Sequence, residues 1–257
     1  MLVTRNQCRQ THACKMISYY RLSYNCIPNE LRLRLLAVFI CAADKLTSSM
    51  PSDPVMQKNV FFYVPNLIGY VRILLLILFI FTMSNNCIHS IVYYLVSAIL
   101  DAVDGHAARY YNQVSQFGSM LDMLTDRCAT MSLAMAISAF TPHLLPWFTL
   151  WVILDISSHW FRMQSALLAN KSSHKSTSPF DGWLLQWYYN SKICLFFLCS
   201  ANELFLVCVY ASSFYVNTYL DIAICILLIP FSIKTWINFL QLCSAAYLMT
   251  QCKQDID

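Results

Sequence analysis

Two long stretches of the chain, residues 73–100 and 128–154, contain no Asp, Glu, Lys or Arg. A helix that crosses a bilayer needs about 20 predominantly apolar residues, and both stretches exceed that length. Hydrophobic residues make up 58% of the 257 residues and charged residues 12%, whereas soluble domains carry about 25% charge. The chain is therefore predicted to be an integral membrane protein, and a soluble globule, a disordered chain and a nucleic-acid-binding protein are poor interpretations.

Six transmembrane helices fit the apolar runs from Pro65 onward, and no segment alternates like a strand of a membrane barrel. Their predicted bounds are 65–84, 89–110, 117–140, 145–168, 192–213 and 217–248. The last helix contains Pro230, which favours a kink or a break. The predicted fold class is thus an all-α integral membrane bundle, with its domain over residues 59–250 and a short cytoplasmic tail over 251–257.

Basic residues predict the orientation of the bundle. The connections near 84–90, 141–146 and 211–218 contain no Lys or Arg. Cytoplasmic loops are enriched in both residues, so both termini and the turns near 113 and 180 are predicted to be cytoplasmic.

The first 58 residues hold eight of the 17 Lys and Arg but three of the 13 acids. Their charge balance differs from that of the apolar remainder. Residues 1–58 are predicted to be a disordered extension, a targeting segment, or a gene-model artefact, with Met50 or Met56 as the true start.

Four aspartates fall within 26 residues of an otherwise acid-poor region: Asp101, Asp104, Asp122 and Asp126. The first two are spaced i,i+3 and the last two i,i+4, so each pair shares one helix face. Residues 111–116 read as a polar turn between the pairs. A helical hairpin about that turn would stack the four carboxylates in two layers near the cytoplasmic end.

Convergent carboxylates form a hard-oxygen site that suits Mg²⁺ or Mn²⁺, and four of them could hold two ions. Gly105, Ala108 and Gly118 leave room for a ligand to approach the helices closely, and Arg109 could bind phosphate with both prongs of its guanidinium. Two alternatives stay open at this point: aspartates that merely pair with nearby arginines, and a cation transporter.

Together these residues read D-x2-D-G-x2-A-R-x8-G-x3-D-x3-D from Asp101 to Asp126. This pattern resembles the signature of the CDP-alcohol phosphatidyltransferase family, with agreement at all eight specified positions. Five neighbouring runs resemble its eukaryotic inositol-using branch, the phosphatidylinositol synthases: VPNLIGYVR, DGHAAR, FGSMLDMLTDRC, SSHW and NELF. The resemblance covers roughly residues 59–250 and leaves out the N-terminal extension.

The resemblance implies a six-helix enzyme of the endoplasmic reticulum membrane with its active site at the cytoplasmic side, and often a homodimer. It implies that the phosphatidyl group of CDP-diacylglycerol passes to myo-inositol with release of CMP. Asp101, Asp104 and Asp122 would hold Mg²⁺ or Mn²⁺, and Asp126 would be the general base and also touch metal. The motif itself does not choose inositol over glycerol phosphate, serine, choline or ethanolamine.

The resemblance also implies roles for residues outside the four aspartates. Gly105, Ala108 and Gly118 would let the cytidine nucleotide pack closely, and Arg109 would contact phosphate. Asn66 would bind nucleotide or cap the first helix.

Three further positions have less specific interpretations. Arg72 resembles an arginine that follows a Pro-Asn pair in the family, and it would extend to the membrane interface. His159 and Lys175 are candidates for the inositol pocket, with helix packing as the alternative for His159 and a generic basic loop as the alternative for Lys175.

Overall fold

In the computed structural model, the structure describes residues 59–169 and 183–251. Every helix predicted from the apolar runs forms, within a few residues of its predicted bounds. The helices are α1 Val64–Thr82, α2 Cys87–Tyr110, α3 Gln116–Phe140, α4 Leu145–Ala169, α5 Trp183–Asn190, α6 Lys192–Ser212 and α7 Thr218–Gln251. The short α5 was not predicted. Residues 1–58, Lys175 and the tail from 252 lie outside the described residues.

Four described helices, α1, α2, α6 from Ile193, and α7, are long and apolar enough to cross a membrane. Helices α3 and α4 have 25 residues each, or about 37 Å at 1.5 Å per residue, but both carry charged side chains. No strand occurs in residues 59–169 or 183–251, so the described part is all-helical as predicted. Helix α7 continues through Pro230, so the break considered there does not occur.

The described residues divide into two compact units, one over 59–121 and the other from residue 122 onward, and the boundary falls inside α3. In the first unit, α1 and α2 form an antiparallel hairpin joined by a short turn after Thr82. The Asn86 side chain accepts a hydrogen bond from the backbone N–H of His89 and so caps α2. The hairpin matters because it brings the α2 aspartates alongside α1.

Contacts near the turn fix the register of this hairpin. Ser90 Oγ donates to Thr82 Oγ1 at 2.9 Å, and the rings of Phe79 and Tyr94 pack with centroids 5.7 Å apart. In an antiparallel pair of helices, the residue numbers of facing residues add to a nearly constant value, and both of these contacts meet that condition. The same register carried toward the other end pairs Arg72 with the region of residues 101–104.

A five-residue link joins α2 to α3, as the sequence predicted. Asn112 has a positive φ of 53°, a left-handed conformation that asparagine adopts more readily than most residues and that ends helices. Gln113 Oε1 accepts a hydrogen bond from the Val64 backbone N–H at 2.8 Å, which ties the link to the start of α1. Ser115 Oγ accepts from the Gly118 N–H at 3.0 Å and caps α3.

In the second unit, α7 packs against α4 and α6. Aromatic rings fill the space between these helices: Phe231 of α7 lies 4.2 Å from Phe205 and 5.5 Å from Trp151, measured between ring centroids. Leu206 and Ile237 are fully buried nearby. This packing holds α4 and α7 side by side, so that Asp155 of α4 and Asn238 of α7 are in contact.

Candidate active site

Arg72 of α1 binds both aspartates of α2. Its Nη2 lies 2.8 Å from Asp101 Oδ1, and its Nη1 lies 2.8 Å from Asp104 Oδ2. Arg72 is 2% exposed, and Asp104 is 7% exposed. The interpretation that Arg72 extends to the membrane interface is therefore wrong, because its guanidinium is buried between the two carboxylates and fixes their spacing.

Asn66 lies six residues before Arg72 on α1 and is also buried. Its Nδ2 donates to the Val60 carbonyl at 2.6 Å, and α1 begins without a side-chain cap. The capping alternative for Asn66 is therefore wrong. A Cβ added at Gly118 would lie 2.7 Å from Asn66 Oδ1 and 3.1 Å from Ser115 Oγ, so a glycine is required where the start of α3 approaches Asn66.

The two prominent small residues on α2 have more open surroundings. A Cβ at Gly105 would meet the Arg109 guanidinium at 3.8 Å, which is an ordinary contact. Arg109 is exposed in the last turn of α2, and Ala108 is half-buried. Gly105 and Ala108 follow Asp101 and Asp104 by four residues each, so small side chains continue the helix faces that carry the carboxylates.

In the second unit, Asp122 and Asp126 lie one turn apart on α3. Both are half-buried, and a carboxylate oxygen of one lies within 4.8 Å of a carboxylate oxygen of the other. They lie one and two turns after Gly118 on the same helix face. This pair has the spacing and the donor chemistry of part of a divalent-cation site.

Arg127 connects Asp126 to α4. Its Nη2 lies 3.6 Å from Asp126 Oδ2, and its Nη1 donates directly to Asp155 Oδ2. Asp155 is buried, and its other oxygen accepts from Asn238 Nδ2 of α7 at 2.9 Å. Sequence reasoning missed Asp155, although an ionisable residue inside an apolar helix is by itself an indication of function.

His159 lies one turn after Asp155 on α4. Its Nδ1 is 2.8 Å from the Asp155 main-chain oxygen. Because a carbonyl can only accept, this contact places a proton on Nδ1. The Nε2 of a neutral His159 is then an acceptor.

The donor set fits a divalent ion on its chemistry. Carboxylate oxygens are the ligands that Mg²⁺ and Mn²⁺ prefer. Asp122 and Asp126 lie close enough on one face of α3 that each would supply a carboxylate oxygen to such an ion. Arg72 of α1 holds the carboxylates of Asp101 and Asp104 on α2 at a set spacing. The two side chains therefore have less conformational freedom to lose when an ion binds.

Comparison with known proteins places the chain among enzymes. The profile described as CDP-alcohol phosphatidyltransferase matches residues 62–243, and members of that family generally depend on a divalent metal ion. No solved structure shows significant similarity to the chain.

Three relatives carry the name CDP-diacylglycerol–inositol 3-phosphatidyltransferase. The Drosophila melanogaster protein is 46% identical over 158 residues, which cover 62% of this chain and 69% of the relative. The Rattus norvegicus protein is 43% identical over 158 residues, 62% of this chain and 74% of the relative. The Saccharomyces cerevisiae protein is 40% identical over 169 residues, 66% of this chain and 77% of the relative.

Proposed function

Because the chain belongs to the CDP-alcohol phosphatidyltransferase family, we propose that it transfers the phosphatidyl group of CDP-diacylglycerol to inositol and releases CMP. The observation that carries this proposal is the complete aspartate motif within a segment 40–46% identical to relatives named for that reaction. The described structure adds two organised carboxylate pairs, one held by Arg72 and the other beside Arg127.

The enzyme is proposed to cross the endoplasmic reticulum membrane six times, with both termini and the active site in the cytoplasm. The lengths of α3 and α4 support six spans, since about 37 Å of helix exceeds the hydrocarbon thickness of about 30 Å. Their charged side chains are acceptable in a bundle interior that holds a site. A homodimer stays a prediction.

The four aspartates Asp101, Asp104, Asp122 and Asp126 are proposed to hold Mg²⁺ or Mn²⁺ together, as two ions. On α2, Gly105 and Ala108 lie between the first pair of aspartates and the link to α3. On α3, Gly118 lies between that link and the second pair. Both pairs are thus separated from the link by small residues, which supports a common site near it. Bound ions would neutralise the diphosphate and the charge that develops on its oxygens.

In the proposed reaction, Asp126 accepts the proton of the attacking inositol hydroxyl. The hydroxyl oxygen forms a bond to the phosphorus that carries diacylglycerol, and the bond from that phosphorus to the bridging oxygen breaks. CMP leaves with the electron pair of that bond. The products are phosphatidylinositol, CMP and the proton held by Asp126, which passes to solvent before the next turnover.

The nucleotide is proposed to lie against Gly105, Ala108, Gly118 and Asn66, with Arg109 on its phosphates. Gly105 supports this placement because, of the side chains in the described residues, its added Cβ would meet the tip of the flexible Arg109 side chain alone. The inositol is proposed to contact His159, whose Nε2 accepts from a hydroxyl, and Lys175.

The proposed function is tested with membranes that contain the protein, CDP-diacylglycerol, Mg²⁺ and a panel of labelled alcohols. The panel contains inositol, glycerol phosphate, serine, choline and ethanolamine. We expect labelled phosphatidylinositol and an equal amount of CMP from inositol alone. A labelled lipid from another alcohol would change the acceptor, and no CMP with any of them would exclude the enzyme and leave a cation transporter as the alternative.

Two glycine-to-alanine substitutions separate a ligand contact from a packing contact. Among the described residues, the added methyl group of Gly105→Ala meets nothing closer than 3.8 Å outside the backbone of its own helix. The substitution also favours the helix by about 0.5–1 kcal/mol. We expect equal or slightly higher thermal stability and a KM for CDP-diacylglycerol raised by about tenfold or more, because the methyl group takes space from the nucleotide.

Gly118→Ala is the matched packing variant. Its methyl group would overlap Asn66 Oδ1, so we expect a stability loss of about 1–3 kcal/mol as well as lower activity. Thermal melting and steady-state kinetics check both variants. A wild-type KM in Gly105→Ala would refute the nucleotide contact at that residue.

A further inference from the structure

A chain of buried polar side chains crosses the second unit from α7 through α4 to α3. Lys234 Nζ donates to Asn238 Oδ1 at 2.9 Å, and Asn238 Nδ2 donates to Asp155 Oδ1 at 2.9 Å. Asp155 Oδ2 accepts from Arg127, which lies 3.6 Å from Asp126. We call the four side chains that lead to Asp126 through these contacts the Asp155 chain: Lys234, Asn238, Asp155 and Arg127.

The chemistry of the groups fixes the direction of the Asp155 chain. An ammonium can only donate, so Lys234 requires the carbonyl oxygen of the Asn238 amide. The amide nitrogen is then directed at Asp155, which as a carboxylate can only accept. Lys234 is further held over the ring of Tyr188, 4.9 Å from its centroid. One orientation of Asn238 satisfies both neighbours, so Asp155 is held in one rotamer.

The cost of burying these groups indicates a role beyond joining helices. Lys234 is 5% exposed, Asp155 4% and Asn238 2%, and charges inside an apolar bundle are expensive. The same two helices are also joined without any charge, because Gln241 Nε2 donates to the Ser158 carbonyl at 3.2 Å. Because a neutral hydrogen bond also joins α4 to α7, joining the two helices does not by itself account for the buried charges.

The environment of Arg127 also indicates a role other than stabilising the fold. Its Nε is buried with no hydrogen-bond partner among the described residues. A buried donor without a partner is destabilising. The two terminal nitrogens of the same side chain face Asp155 and Asp126. The Arg127 side chain is therefore oriented toward the two carboxylates although its Nε is left without a partner.

We infer that the Asp155 chain positions Arg127, and through it Asp126, for the transfer reaction. Arg127 is held by Asp155 of α4 and therefore sets the rotation of α3 about its axis, which decides where the neighbouring Asp126 points. Lys234, Asn238 and Asp155 are positioning residues, since they act through Arg127. This inference rests on the proposed function, in which Asp126 accepts the hydroxyl proton.

The first test compares two substitutions three residues apart on α7. Asn238→Leu removes the donor to Asp155. Gln241→Leu removes two neutral bonds, to the Ser158 carbonyl and from the Tyr189 hydroxyl, neither of which involves the Asp155 chain. We expect Asn238→Leu to lower kcat by about 10- to 100-fold, the range for a lost bond to a charged group, with KM for both substrates within about threefold. Gln241→Leu is expected to keep kcat within about threefold, although it too removes a buried bond between helices.

A second variant covers the case in which Asn238→Leu leaves Lys234 buried without its acceptor and does not fold. Lys234→Met/Asn238→Leu removes the charge and the amide together, which is tolerated better than removing one partner. Its kcat is expected to fall like that of Asn238→Leu. Thermal melting of purified protein establishes which variants are folded, and the folded ones are compared.

A coupling measurement shows whether Asn238 acts through Arg127. Arg127→Met/Asp155→Leu replaces the ion pair by apolar side chains of similar size. In that background, adding Asn238→Leu is expected to lower kcat by less than about twofold, because the path to Asp126 is already removed. A full 10- to 100-fold further loss would overturn the inference, since Asn238 would then act by another route.

The inference is also overturned if the folded variants at Asn238 keep the same kcat as Gln241→Leu while the wild-type protein makes phosphatidylinositol. In that case the proposed function stands and the Asp155 chain only joins helices. If the wild-type protein releases no CMP with any acceptor, the proposed function itself has failed, and the inference fails with it. The two failures are therefore distinguished by the wild-type assay.

Discussion

Replacing Asp126 by asparagine is expected to lower CMP release by about 10²–10⁴-fold, the range for losing a general base. The amide has nearly the same shape as the carboxylate but cannot accept the hydroxyl proton. The loss should appear in kcat with inositol saturating. Steady-state CMP release from purified protein measures it.

The same substitution should leave the protein folded. Asp126 is half-buried on α3, and its contact with Arg127 at 3.6 Å is longer than that of the buried Arg127–Asp155 pair. The matched control is Asp221→Asn, an exposed aspartate in the first turn of α7, which should keep wild-type kcat. Wild-type turnover in Asp126→Asn would contradict its assignment as the base, and an unfolded Asp126→Asn protein would make its role structural.

Replacing Arg72 by methionine is expected to remove both activity and much of the stability of the first unit. Asp104 would lose the partner of a buried ion pair, and breaking such a pair costs about 3–5 kcal/mol. Asp101 would lose its contact as well. Arg72→Lys keeps the charge but not the two-pronged geometry, so we expect an intermediate loss of activity. Thermal melting and CMP release check both variants.

Added Mg²⁺ distinguishes a metal-site role of Arg72 from simple packing. A cation bound to Asp101 and Asp104 would replace part of the missing positive charge. Mg²⁺ should therefore raise the melting temperature of Arg72→Met by more than it raises that of the wild-type protein. The control is Arg162→Met, which loses a cation–π contact with Tyr189 and should show the wild-type response. An equal Mg²⁺ response in all three proteins would refute this account of Arg72.

Local features of this fold could be predicted from sequence because each depends on neighbouring residues. Uncharged runs located the helices, and the polar residues before Gln116 located the link at which Asn112 takes its left-handed conformation. The motif spacing placed Asp101 with Asp104, and Asp122 with Asp126, on common faces. The structure confirms these features, while the proposed roles of the four aspartates stay predictions.

Features that depend on packing between helices could not be predicted. Arg72 was expected near the membrane interface because a single arginine in an apolar helix commonly extends there. The hairpin register set by Phe79 and Tyr94 instead buries it against α2. The partners of Asp155 come from α3 and α7, at sequence separations of 28 and 83 residues, and no local pattern encodes such contacts.

We propose that aspartates from α2 and α3 hold the same divalent ions. Mn²⁺ binding to purified protein, followed by electron paramagnetic resonance, tests it most directly with Asp104→Asn and Asp122→Asn. The account predicts that each substitution weakens Mn²⁺ binding by about tenfold or more, because each removes a ligand from one shared site. Unchanged Mn²⁺ affinity after either substitution in a folded protein would contradict it.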